Sequence, residues 1–210
     1  MSKTRKFIFI PVVNCFDLLQ KAINSVPENL YDDYFIFNNS GKNLNEFIDK
    51  KQFTIINDNL LSFKDTQNKM RLYAIENKYD YYSFMHNDGE ILDDTANRLI
   101  QKADELINNN SKWGVIFTEY DVLCAFNTSC VETIGQWGDD NWPIQKSGYY
   151  LDVDYYHRML KYEFSHVQIK HNVLHTIGNT IKGDENERSL WESERRAVQD
   201  HFKNKWGWLP

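Results

Sequence analysis

Apolar residues follow two rhythms along the first half of the chain. Phe7 to Ile10, then Val12 and Val13, make an unbroken apolar run ended by Asn14, the pattern of a strand buried on both faces. Leu18, Leu19, Ala22, Ile23 and Val26 then recur at helical spacing, and Pro27 stops that helix. Tyr34 to Phe37 reads as a second strand ending in the turn-forming Asn38-Asn39-Ser40-Gly41. Leu44, Phe47 and Ile48 mark a short helix, and Gln52 to Ile56 a third strand. A helix over Thr66 to Asn77, with Met70, Tyr73 and Ala74 on one face, leads into a strand from Tyr81 to Met85 that breaks at His86-Asn87-Asp88-Gly89-Glu90. From Asp93 to Asn109, Ala96, Leu99, Ile100, Ala103, Leu106 and Ile107 hold a helical period, and Gly114 to Thr118 is the next strand.

This alternation predicts an α/β fold with a mainly parallel central sheet flanked by helices on both faces. Beyond residue 120 the pattern loosens into aromatic, turn-rich sequence: Trp137-Gly138-Asp139-Asp140-Asn141-Trp142-Pro143, then Tyr149 to Tyr156. A late strand at Val167 to Ile169 and a charged helix from Glu187 to Lys203 complete it. The expectation is one domain over 1–210, with a nucleotide-type half at 1–120 and a small loop-rich half at 121–210.

Composition narrows the chemistry. In 210 residues, 41% are hydrophobic and 15% aromatic, enough for one substantial core. With 24 Lys+Arg against 30 Asp+Glu, the formal charge of -6 argues against general affinity for nucleic acid or an anionic membrane surface. No stretch approaches the ~18 to 20 apolar residues of a membrane span. Lys3, Arg5 and Lys6 before Phe7 to Ile10 imitate a signal peptide, but Pro11 interrupts the run too early. Cys15, Cys124 and Cys130 form no C-x-x-C, which fits buried thiols in a reducing, cytoplasmic compartment.

Ligands of open parallel sheets bind outside the carboxyl ends of the strands. Four such ends turn polar here: Asn14, Asn38-Asn39, His86-Asn87-Asp88 and Glu119 to Asp121. Asn and Asp are also residues that turns favour, so each position has a bland reading as well. There is no G-x-x-x-x-G-K-[ST] loop and no G-x-G-x-x-G after the first strand. A diphosphate bound without a glycine cradle needs a cation such as Mn²⁺ or Mg²⁺, for which Asp88 is the best-placed carboxylate.

The order of these segments resembles a GT-A nucleotide-sugar glycosyltransferase of the family-2-like group that includes rhamnosyltransferases. Pro11-Val12-Val13-Asn14 is similar to the segment touching the nucleoside, and Asn38-Asn39-Ser40 to the turn at the base. Lys69-Met70-Arg71 falls on the family's A-R-N helix start, and His86-Asn87-Asp88 on its D-x-D, with His86 in place of the first Asp. Ile134-Gly135-Gln136-Trp137 and Leu151-Asp152-Val153-Asp154-Tyr155-Tyr156-His157-Arg158 resemble the acceptor-side motif, with Leu151 in place of Glu. His175-Thr176-Ile177-Gly178-Asn179 resembles the late histidine segment, and Phe202-Lys203-Asn204-Lys205-Trp206-Gly207 the terminal F-x-x-K-W-G. The likeness extends to the first domain of a multidomain glycosyltransferase of large algal viruses, which implies further domains of a longer polypeptide.

The resemblance implies a metal-dependent transfer of a hexosyl or deoxyhexosyl group, glucose or rhamnose first, from a UDP-sugar to a glycan acceptor. It implies Asp88 and His175 as metal ligands, and Pro11, Val12, Asn14, Asn38, Asn39, Lys69, Arg71, His86 and Asn87 around the donor. Asp152, or its neighbour Asp154, stands where the family keeps the general base. Asp152 is also a possible N-cap for the run Tyr155 to Tyr162, and in a retaining enzyme it would orient a sugar instead. Trp137, Trp142, Tyr149 and Tyr150 are candidates for a stacking wall at the acceptor, or for core packing. A sugar nucleotidyltransferase would carry a Gly- and Arg-rich loop where Val13-Asn14-Cys15-Phe16 stands, and a carbohydrate-binding module would more often be all-β.

Overall fold

The computed structural model describes residues 3–45, 48, 52–57, 61–143, 148, 150–176 and 185–209. The first half runs β1 (Lys6–Val12), α1 (Phe16–Ser25), β2 (Asp33–Asn38), β3 (Thr54–Asn57), α2 (Phe63–Glu76), β4 (Tyr81–Met85), β5 (Gly89–Ile91), α3 (Thr95–Asn108) and β6 (Trp113–Thr118). The second half runs β7 (Tyr120–Asn127), α4 (Thr128–Ile134), α5 (Leu151–Lys161), β8 (Ser165–Gln168), β9 (Val173–His175) and α6 (Glu185–Trp206). Phe47 of the expected short helix, Tyr149, and Ile177-Gly178-Asn179 of the late motif lie outside the described residues.

A seven-stranded sheet has the order β3-β2-β1-β4-β7-β6-β8. β1 to β4 are mutually parallel, β7 is antiparallel to both β4 and β6, and β8 is parallel to β6. Among the described residues, β7 alone therefore runs against the rest, and β1, β2, β4 and β6 all end at the same edge. Because a strand alternates faces, Phe7 and Phe9 of β1 enter one core cluster while Ile8, Ile10 and Val12 enter the other. The first cluster packs under α2, α4, α5 and α6 through Met70, Val131, Tyr155 and Phe202; the second under α1 and α3 through Ile23 and Leu99. Both faces are covered, which is why β1 reads as an unbroken apolar run.

Three expectations change. The segment after residue 120 is not loose: β7 is a central strand, buried from Asp121 to Asn127. It follows β6 through a tight hairpin that needs no crossover helix. Asp152 to Tyr156 is helical, in α5, whose N-cap is Tyr150, so Asp152 lies in the first turn and is not the cap. Finally, α2 begins at Phe63, because the Ser62 hydroxyl accepts from the Asp65 N–H at 3.1 Å and donates to the Asp65 carboxylate at 2.6 Å. Lys69 and Arg71 thus lie in the middle of that helix and not at its start.

Candidate active site

The chain leaves β4 through a turn that determines the site. The His86 N–H still donates to Val122 O at 2.9 Å, and the Gly89 N–H then closes the turn onto His86 O at 3.1 Å. A Cβ on Gly89 would lie 2.8 Å from Val122 Cγ1 and 3.3 Å from His86 O, so the turn can close this tightly only with glycine. Asn87 and Asp88 are buried inside it. The Asn87 amide donates to Asn14 O at 2.8 Å, tying the turn to the loop after β1.

Gly89 pairs with His175 in the two-stranded β5–β9 ribbon, and the Thr176 N–H donates to Asp88 O at 3.1 Å. This long-range pairing brings His175 Nε2 to 3.5 Å from Asp88 Oδ1, with His86 Nδ1 3.8 Å from the same oxygen. One ligand atom from each of His86, Asp88 and His175 lies within 4.8 Å of the others. Asp88 Oδ1 is buried and has no hydrogen-bond partner among the described residues. A buried, unpaired carboxylate oxygen is costly, and a cation between it and two imidazoles removes that cost, so the donor set fits a divalent metal.

Beside this cluster lies an acidic pair. Asp121, at the start of β7, places Oδ1 3.3 Å from His86 Nε2 and accepts a 3.2 Å hydrogen bond from the Tyr156 hydroxyl on Oδ2. Asp152, in the first turn of α5, accepts from the Tyr120 hydroxyl. Burial, and then the negative charge of Asp121, push the Asp152 carboxyl up to about 6 against the opposing Tyr120 bond and the amides of Val153 and Asp152. Burial alone would lower His86, but Asp121, Asp88 and Asp152 together lift it above the usual histidine value. Burial and the Asp152 charge raise the Tyr120 phenol, so it remains a donor.

The other expected residues divide. Val12 is packed in the core and offers the ligand edge only backbone; its carbonyl accepts from the Asn39 N–H at 2.9 Å. Pro11 is half-buried in β1, opposite Phe37. Asn38 is saturated: its NH₂ donates to Lys42 O at 2.8 Å and Asn57 Oδ1 at 2.7 Å, while Oδ1 accepts from the Ser40 N–H and hydroxyl. Asn39 donates to Thr66 Oγ1 at 2.8 Å, leaving its buried Oδ1 without a partner among the described residues.

Packing places five more of these residues. Arg71 reaches Val131 O at 3.3 Å, across the α2–α4 contact, and does not face the strand ends. The Lys69 ammonium lies over the Phe37 ring, 5.1 Å from its centroid, one helical turn or more below the α2 N-terminus. Asp154 is fully buried and held by Arg158 Nε at 3.0 Å, Lys205 Nζ at 2.7 Å and Trp206 Nε1 at 2.9 Å. Trp137 and Trp142 are core residues, 1% and 2% exposed, with Trp137 stacked on Tyr155. The described aromatic that does stand at the open edge is Tyr120, 55% exposed beside Asp152 and absent from the expected set.

The sequence matches no protein-family profile and no curated protein. Solved structures do match its fold. The mannosyltransferase PcManGT from Pyrobaculum calidifontis, in complex with GDP-Man and Mn²⁺, superposes with a TM-score of 0.59 at 12% identity, over 80% of this chain and 55% of that one. The chain thus spans about half the length of that enzyme. A putative nucleotide-diphospho-sugar transferase from Desulfovibrio desulfuricans G20 superposes with a TM-score of 0.51 at 12% identity, over 94% of this chain and 98% of that one. The architecture is GT-A, as the segment order implied.

Proposed function

We propose that this chain transfers a hexosyl or deoxyhexosyl group from a nucleoside-diphosphate sugar to a glycan hydroxyl, with a divalent cation held by His86, Asp88 and His175. The observation that carries the reading is the buried Asp88 Oδ1, without a hydrogen-bond partner among the described residues and set between two imidazoles at the ligand edge of a GT-A sheet. Bound there, the cation supplies Lewis-acid stabilisation for the departing diphosphate. Two imidazoles beside one carboxylate favour Mn²⁺ over Mg²⁺, which takes oxygen donors.

The chain's own residues carry the rest. Asp152 takes the proton of the acceptor hydroxyl while that oxygen forms its bond to the anomeric carbon and the bond to the diphosphate breaks. With its carboxyl at about 6, Asp152 is ionised at neutral pH yet more basic than an exposed aspartate. Tyr120 engages Oδ2 and so aims Oδ1 at the acceptor. Asn39 Oδ1 is an acceptor that a nucleobase N–H satisfies, and the Asn87–Asn14 bond fixes the loop that borders the donor. In this reading 1–120 forms the donor side and 121–210 the acceptor side.

The donor of first choice is a UDP-sugar, with glucose or rhamnose as the transferred group. The GDP-Man bound by the Pyrobaculum enzyme favours a GDP-sugar as the second reading. Incubating the protein with Mn²⁺ and a panel of UDP-, dTDP- and GDP-sugars, and measuring nucleotide release with and without glycan acceptors, decides between them. Release from one nucleotide class is expected; no release from any donor would contradict the proposal. No described helix is long and apolar enough to cross a membrane.

A further inference from the structure

A histidine can give a metal only the ring nitrogen that carries no proton, so which nitrogen of His86 is protonated decides whether the cluster binds a cation. Nδ1 is the nitrogen that faces Asp88 Oδ1, at 3.8 Å; Nε2 is buried with no hydrogen bond among the described residues, and the carboxylate nearest to it is Asp121 Oδ1, at 3.3 Å. Asp121 is the nearer of the two carboxylates that flank the ring, so a neutral His86 with its proton on Nε2 points it at the closer acceptor and turns its Nδ1 lone pair to the Asp88 side. Asp121 is built to hold that position. It is buried, its Oδ2 takes the Tyr156 hydroxyl at 3.2 Å, and Val122 beside it receives the His86 N–H at 2.9 Å.

We infer that Asp121 is the outer carboxylate of the metal centre, a positioning residue that fixes the tautomer and ring plane of His86 so that Nδ1 is its donor atom. This rests on the reading of His86, Asp88 and His175 as a metal site. It assigns a role to a residue that touches neither the cation nor the sugar, and it explains how a histidine serves where the family keeps an aspartate. Outer partners of this kind change metal affinity by about 10- to 100-fold when removed.

Two measurements test it. The first is a long-range ¹H–¹⁵N correlation spectrum of the metal-free wild-type imidazoles, at a pH where they are neutral, with the His86 signal assigned by its loss in H86Q. The Nε2–H form is expected, and the Nδ1–H form would overturn the inference without any Asp121 variant. The second is Mn²⁺ affinity, by electron paramagnetic resonance titration, for wild type, D121N and D121E. The Asn amide of D121N can donate to Nε2 and drive the proton to Nδ1, so about 10-fold or greater weakening is expected. D121E, which keeps the carboxylate, should bind Mn²⁺ more tightly than D121N. Equal affinity in wild type and D121N would overturn the role of Asp121 while leaving the metal site intact. Failure of the wild type to bind Mn²⁺ would overturn the metal reading itself.

Discussion

Replacing Asp152 with Asn sets stability against activity at a single atom. The folded carboxyl titrates at about 6, against roughly 3.9 in an unfolded chain, so it binds its proton more tightly when folded. Two units at ~1.4 kcal/mol each make an upper bound of ~3 kcal/mol for the penalty of ionising it in place. Asp152 is only half-buried, and water screening reduces this to about 1–3 kcal/mol. The sign follows from linkage: there is no penalty below pH ~4, where both states are protonated; it grows between about 4 and 6, and is complete above. D152N, whose amide oxygen can still accept from Tyr120, should therefore be about 1–3 kcal/mol more stable than wild type at pH 8 and no more stable at pH 4. Its kcat should fall by about 10²- to 10⁴-fold, the usual contribution of a general base. Urea unfolding of both proteins with a metal chelator, at the two pH values, reads the stability difference. A D152N protein less stable than wild type at pH 8, or a difference that does not change with pH, would refute the reasoning.

Asp154, two residues on, gives the opposite result: D154A leaves Arg158 and Lys205 without their buried partner and should cost about 3–5 kcal/mol in denaturant unfolding, with kcat of the folded protein unchanged. Y120F removes a hydrogen bond that stabilises ionised Asp152, so the acid limb of the kcat profile, expected near pH 6 in wild type at saturating Mn²⁺, should move to higher pH. G89A forces a Cβ against Val122 Cγ1 at 2.8 Å; it should cost about 1–3 kcal/mol and weaken Mn²⁺ binding together, as measured by thermal unfolding with and without the ion.

Local patterns were readable wherever burial imposes them. β1, β2, β4 and β6 are short apolar runs because the sheet is covered on both faces, and α3 declares its one buried face. β7 was missed although Val122 to Phe126 is an unbroken apolar run, because strand–helix alternation anticipates a helix after β6 and a hairpin supplies none. The site was legible only in parts. Asp88 stands out as a carboxylate after a buried strand, but its closeness to His175 depends on the β5–β9 pairing, which no local pattern encodes. Asp152 and Asp154 look alike in sequence; two positions on a helix lie about 200° apart, which sends one to Tyr120 and the other to α6. Of the two readings open for the aromatic cluster, Trp137 and Trp142 take the core, where most large aromatics go, while the exposed Tyr120 carries no motif.

Isothermal titration of UDP and GDP into wild-type protein and D88N, with and without Mn²⁺, tests the metal-dependent donor site most directly. Nucleoside diphosphate should bind wild type with Mn²⁺ present, bind far more weakly without it, and show no Mn²⁺ dependence in D88N. Binding that is equally tight without the cation, or unchanged in D88N, would contradict the account.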